Sequence, residues 1–452
     1  MVNDSREAPL RAAWLTSSVL LATGPSRNIH LGPPTARLET HPASATEVSN
    51  RRRRISHLRS ITAETIMQRQ GSRTGSRCHT RRMSMQGDLE GFGRRVPALT
   101  QLPAWGGTFA VGAVCVATAG LLSTLILHES GLSGDEPYYE RMASHPAGPH
   151  NFPYAFRVGP PGLVHLLPFS HAVSWQLLAL AAIAVAGGAL FAILREFGTN
   201  PALAVGMCVG FAGSPVLLAV LLRNGRGIDA AIIAVMTLGY LFIVRRQLVL
   251  LSVTLMVGTT IHESCLFLIP AAYAVWAERL LDPKALRTTL WVGALPLAVY
   301  IYLRMSVVAV GEQYQPGYGG SVLAGRIEVL NDAIKGGGWK TELRRLVLTF
   351  GPLWIAAVFA LRTHRFARRG LVLIGLCVLS FTFALDWGRI MSFATPVVYV
   401  SAALVLRKRP GWAFAVVLIL IAMDVSYAVY MQLHGVVHGL DTHGPPARGP
   451  VV

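Results

Sequence analysis

From about residue 105 the chain alternates long apolar runs with short polar breaks. A membrane-spanning helix takes roughly 20 mostly apolar residues. By that measure there are eleven candidate runs, at about 105–127, 172–194, 202–222, 228–244, 247–261, 264–280, 289–310, 345–361, 370–385, 390–406 and 412–433. Runs 247–261 and 370–385 are short, which suits thinned or tilted helices around a cavity. The pattern predicts an all-α, polytopic transmembrane bundle of about 11 helices, with interfacial helices in the first long outer loop.

The breaks fall into two kinds. One set is basic: Arg94-Arg95, Arg195, Arg245-Arg246, Lys284 with Arg287, the cluster Arg362, Arg365, Arg368 and Arg369, and Arg407-Lys408-Arg409. Cytoplasmic loops carry an excess of Lys and Arg. With the N-terminus inside, every inner connection is then basic and the alternation holds without a skip. The second set falls outside: loop 128–171, the Arg223–Arg226 turn, the His262-Glu263 break, loop 311–344, the Asp386–Arg389 break, and the tail after Leu433. The acid-bearing breaks therefore share one side, and the expected setting is multi-pass in a plasma (inner) membrane with a site facing outward or to the periplasm.

Composition agrees. Hydrophobic residues make up 52% and charged residues 14%, with a mean hydropathy of +0.46, whereas a soluble chain carries about 25% charged residues. The net charge of +18 is uneven, because residues 1–95 hold sixteen arginines, no lysine and seven acids, half of the total. The remainder is spread over short loops, which reads as topology and not as nucleic-acid binding. Residues 1–95 have no sustained apolar period and cannot bury enough surface to offset ordering. They read as a disordered Arg-rich cytoplasmic tail, or as an upstream extension of a chain that starts at Met83 or Met85. Residues 96–433 form the expected membrane domain, and 434–452 a short disordered outer tail. The five cysteines are scattered, four of them within apolar runs, where cysteine behaves as a small hydrophobe.

Carboxylates near hydrocarbon are costly, so the outer breaks carry the candidate chemistry. Ser133-Gly134-Asp135-Glu136-Pro137 follows the first run. Its spacing suits a helix N-terminus, and it equally suits a carboxylate that accepts a proton from a substrate hydroxyl. Arg157, in Tyr154-Ala155-Phe156-Arg157, either snorkels to the lipid surface or meets a phosphate. Arg223 and Arg226 occupy an outer turn against the positive-inside bias; Asp229 caps the next helix or pairs with one of them. His262-Glu263 divides one apolar stretch, and a buried Glu demands a partner. Asp386 and Arg389 flank Trp387-Gly388 as a tight turn, or Arg389 neutralises a leaving phosphate. Trp387 itself reads as an ordinary interfacial tryptophan. The glycine-rich loop 311–344 suits a mobile cover and holds no nucleotide phosphate-binding motif.

An Asp-Glu pair just after the first transmembrane run, opening an interfacial helix with aromatics following, resembles the GT-C class of membrane glycosyltransferases, such as protein O-mannosyltransferases and aminoarabinose transferases. A His-Glu pair at 262–263 fits the same resemblance. It implies transfer of a sugar from a polyprenyl-phosphate carrier to a hydroxyl of a lipid, glycan or protein acceptor, with membrane lipids as surroundings and no nucleic-acid partner. Asp135 would be the general base, with Glu136 beside it. Arg157, Arg223, Arg226, His262, Glu263, Asp386 and Arg389 would bind substrate or carrier phosphate. No cofactor is implied, and participation of a divalent metal stays open. The competing expectation is a multi-pass transporter or lipid flippase with a polar outer vestibule; no internal repeat supports it.

Overall fold

A computed structural model describes residues 102–124, 135–151, 154–215, 217, 227–310, 338–382 and 387–434. The readings made for residues 1–95, Ser133-Gly134, Arg223, Arg226, Asp386, residues 311–337 and the tail from 435 onward lie outside the described residues.

The described residues are mostly helical. Helix α1 spans Leu102–Thr124, and α2 (Glu136–Ser144) and α3 (Gly159–Leu166) are short. Then come α4 (His171–Glu196), α5 (Pro201–Ala212), α6 (Asp229–Arg245) and α7 (Leu248–Ile261). A 3₁₀ turn at Glu263–Phe267 leads into α8 (Leu268–Trp276), followed by α9 (Pro283–Ser306). Beyond the undescribed stretch lie α10 (Gly338–Phe350), α11 (Leu353–Thr363) and α12 (Arg365–Ser380). The last elements are α13 (Trp387–Met391), α14 (Thr395–Leu406) and α15 (Pro410–His434). Among the described residues, strand pairing is confined to the two-residue parallel match of His150-Asn151 with Ala309-Val310.

Among the described residues five helical stretches, the segment Trp387–Leu406 being one, are long and apolar enough to cross a membrane, or six if the bent pair α10–α11 is one span. That is the part of the expected bundle which length and composition support, against the eleven runs counted from sequence. The difference has local causes. Within run 202–222, α5 stops at Ala212 before Gly213, and α7 and the Glu263–Trp276 segment are too short to count alone. The α10–α11 bend of 73° falls at Gly351-Pro352, where Gly351 takes a φ of +47° that only glycine adopts freely. Proline 352 lacks the N–H that would continue the helix. Part of the expected mobile cover is also helical: Gly338 and Trp339 open α10, so the loop is shorter than its glycines suggest.

Helices α4, α6 and α14 form the interior. Of the segment Trp387–Leu406, 89% is buried, against 28% for the spans within α1 and α9. The outer helices turn large apolar side chains outward, among them Phe109, Trp291 and Phe414. A surface of that kind is stable against lipid and not against water. Close helix crossings use small residues: a methyl on Gly187 of α4 would lie 2.5 Å from Cys115 Sγ on α1.

The polar residues separate to opposite ends. Arg245 pairs with Glu196 at 2.8 Å, joining the C-termini of α4 and α6. Arg369 donates to the carbonyls of Val275 and Ala277, Arg365 to Glu278 and Arg407 to Phe197. These are terminal carbonyls that a helix leaves unpaired, so the basic breaks share one end. At the other end of α4, Glu140 of α2 holds His171 at 3.0 Å and accepts from Trp175 Nε1 at 3.2 Å. A 26-residue helix separates the two ends, roughly 39 Å at 1.5 Å per residue, enough to cross the hydrocarbon.

Candidate functional site

At the acid end, residues from four distant parts of the chain meet. Asp135 stands just before α2, where Pro137 presets the first turn. Its side chain makes no capping bond. Instead Oδ1 accepts from the Tyr154 hydroxyl at 2.7 Å, and Oδ2 accepts from both Nη atoms of Arg389 at 3.2 and 3.3 Å. Burial alone would raise this carboxyl; the Arg389 charge, the Tyr154 bond and the Arg157 charge outweigh it and hold the group below its ordinary value. Glu136 is buried in the first turn of α2.

Aromatic packing fixes the short segment that follows. Tyr154 stacks on Tyr138 with centroids 4.5 Å apart and meets Tyr139 edge-on at 5.5 Å. The 3₁₀ turn at Tyr154–Phe156 delivers Arg157 into the interior. Its Nη1 donates to Tyr139 Oη at 2.8 Å, and Nη2 to Glu263 Oε1 at 3.3 Å. Burial pushes the Tyr139 hydroxyl up to about 12, so it stays protonated at neutral pH. Arg157 does not snorkel; it is tied on two sides and also lies over the Tyr154 ring.

The His262-Glu263 break is where α7 ends and the 3₁₀ turn starts, with His262 in extended backbone. His262 Nδ1 accepts from the Ser264 N–H at 3.1 Å, which places the neutral ring's proton on Nε2. Nδ1 also lies 3.8 Å from Glu263 Oε2, and the ring packs 5.9 Å from Phe393. Burial, reinforced by the Arg157 charge, brings the imidazole down to about 3.

Arg389 joins the pieces. Its Nε lies 2.5 Å from Asp229 Oδ1 while its two Nη atoms face Asp135, so one guanidinium bridges two carboxylates. Asp229 is the first residue of α6 and is buried. Arg389 is positioned from behind: Trp387 N–H donates to Glu342 Oε2 at 2.9 Å, and Glu342 pairs with Arg345, both on α10. Next to it, Ser392 and Thr395 line a cavity of about one water's size with Ser214, Thr349 and Tyr399. The Trp387 ring stacks on Phe381 at 5.1 Å, so one ring face is already covered.

Of the residues singled out from sequence, Asp135, Arg157, His262, Glu263 and Arg389 come together here. Arg223, Arg226 and Asp386 lie outside the described residues. Sequence reasoning did not select Tyr139, Tyr154, Glu342 or Arg345, and it took Asp229 for a cap or a partner of the 223–226 turn. The signal available for Glu342 and Arg345 was their i, i+3 spacing on one helix. Among the described residues no three His, Cys, Asp or Glu side chains are placed to hold a metal; the guanidinium sits between the two converging carboxylates. The chain matches no family model and no curated protein.

Proposed function

We propose that this chain is a membrane glycosyltransferase that takes a sugar from a polyprenyl-phosphate carrier at the acid end of the bundle. The observation that carries the reading is the meeting of Asp135, Arg157, Asp229, Glu263 and Arg389, drawn from distant polar breaks, at one end of a helical bundle. An enzyme acting on a lipid-borne phosphodiester needs a base and cations at the membrane surface, and this end supplies both. With the positive-inside bias, this reading has that end facing outside or the periplasm and the N-terminus in the cytoplasm, in a plasma (inner) membrane.

In this reading Asp135 takes the proton of an acceptor hydroxyl while the hydroxyl oxygen bonds the anomeric carbon. The bond from that carbon to the carrier phosphate breaks, and the phosphate leaves as an anion beside Arg389 and Arg157. A single displacement of this kind inverts the anomeric centre. Tyr154 holds the carboxylate, and Glu263 with His262 holds Arg157. The acceptor and the sugar are to be found by assay: vesicles carrying the full chain are given undecaprenyl-phosphate esters of several hexoses and pentoses, and release of undecaprenyl phosphate is measured. Asp135→Asn abolishes release with the fold retained; normal release in that variant removes Asp135 as base.

One observation favours a second reading, as a transporter. Asp424, midway along α15, is buried, and its Oδ1 meets no hydrogen-bond partner among the described residues. Acids inside a span mark translocation paths.

A further inference from the structure

The chain of ion pairs raises a difficulty for the proposed reaction. A carboxylate that accepts two hydrogen bonds from a guanidinium is a poor proton acceptor. The two edges of Arg389 are held unequally. Nε forms an ion pair with Asp229 Oδ1 at 2.5 Å, close but not aligned as a hydrogen bond, and the Asp229 side chain is only 8% exposed. The Nη atoms share a single oxygen of Asp135 at 3.2 and 3.3 Å, and that side chain is 31% exposed. The Asp229 contact is therefore the short, buried one, and the Asp135 contact the long, wet one. Asp135 also has a second hold, the Tyr154 hydroxyl on Oδ1 at 2.7 Å, so it stays in place without the arginine. Arg157, by contrast, is buried and tied to Tyr139 and Glu263 at once.

Resting on the glycosyltransferase reading, we infer that Arg389 is an exchangeable clamp: Asp229 anchors its Nε edge, and its Nη fork passes from Asp135 to the phosphodiester of an arriving lipid carrier. Two parallel N–H donors match phosphate oxygens as well as they match a carboxylate. The exchange unmasks Asp135 only once the phosphate is seated. Before then the base is neutralised; afterwards the Tyr154 hydroxyl still holds it, with Arg157, Tyr139 and neutral His262 farther off and Asp229 across the shared guanidinium. Loss of the guanidinium raises the proton affinity of Asp135, which suits its task. The catalytic residue is Asp135; Asp229 is a positioning residue, acting through Arg389.

The test uses the full chain in phosphatidylcholine nanodiscs, with methyl farnesyl phosphate as probe and empty discs as the blank. This phosphodiester carries one negative charge at every pH used, so any pH dependence belongs to the protein. Wild-type affinity rises as pH falls from 6 to 4, because binding takes the guanidinium from Asp135, raises its proton affinity and so couples binding to proton uptake. Asp135→Asn binds at least tenfold tighter than wild type and loses that pH dependence, a gain that misfolding cannot produce. Arg389→Ala loses binding at least tenfold. If Asp135→Asn binds no tighter while Arg389→Ala loses binding, the exchange is wrong and the phosphate site stands. If Arg389→Ala binds like wild type, or if no form binds the probe above the blank, the phosphate site fails and the exchange with it.

Discussion

His262 offers a direct test of how dry the acid end is. Its ring is buried, with the side chain 14% exposed, and its folded-state value is about 3 against an ordinary 6.5. Burial is the first cause and the positive charge of Arg157 the second. The folded chain thus binds fewer protons at this site than the unfolded chain, and stability falls as pH drops through 6.5. Each unit of pH below that point removes about 1.4 kcal/mol, so moving from pH 7.5 to pH 5 removes about 2 kcal/mol. The loss continues until pH reaches the folded-state value. Asp135 also titrates low in the folded chain, but its window opens only below its ordinary value of 3.8, well clear of this range. The assay is thermal unfolding of the detergent-solubilised chain at pH 7.5, 6.5, 5.5 and 5.0. His262→Asn is the comparison, because an Asn side chain can also accept from the Ser264 N–H. The wild type should lose several degrees between pH 7.5 and 5, and His262→Asn should lose distinctly less. Equal slopes in the two forms would show that His262 is hydrated in the folded chain and that the site is wet.

The Arg157–Glu263 pair gives a second prediction. Glu263→Ala strands a buried guanidinium, at about 3 kcal/mol, the low end of the range because Glu263 is 37% exposed. Adding Arg157→Met should recover part of the loss in melting temperature, and a double variant no more stable than Glu263→Ala refutes the pairing. At the α1–α4 crossing, Gly187→Leu should prevent close approach, since even a methyl there meets Cys115; native-like melting temperature in that variant would show the helices are not packed as described. For Asp424, the transferase reading expects Asp424→Asn to keep sugar release within about twofold at an unchanged melting temperature, and a loss of all activity in a folded protein would favour the transporter reading instead.

The helical class was legible because an apolar run of some 20 residues has few other outcomes. The number of spans was not. Runs 202–222 and 345–361 look continuous by composition, yet Gly213 follows the end of α5 and Gly351-Pro352 bends the second by 73°. Average hydropathy carries no information on backbone dihedrals, and Gly351 with Pro352 decides the second place. Which breaks share an end was more legible, since it rests on arginines. The basic breaks do converge at one end, where their guanidinium groups meet terminal carbonyls and Glu196.

The site was partly legible for a related reason. Charge in an apolar chain stands out, so Asp135, Arg157, Glu263 and Arg389 were visible singly as residues needing partners. Which partner each takes is a matter of three-dimensional register. Asp229 shows the limit most clearly. At the first position of a helix an acid has a sufficient local explanation, favourable interaction with the helix dipole, and no pattern in the sequence asks for another. Asp135 stands at the same kind of position and has the same local explanation, but its side chain makes no cap bond and is spent on Tyr154 and Arg389. Both acids sit at helix starts, and both converge on one arginine 160 or more residues away in the chain. A helix start at the membrane surface brings backbone N–H groups, a partial positive charge and an interfacial position together. An acid placed there is already partly stabilised before it meets a cation, which leaves the arginine's hold on it weaker than in an isolated pair and open to competition from another anion.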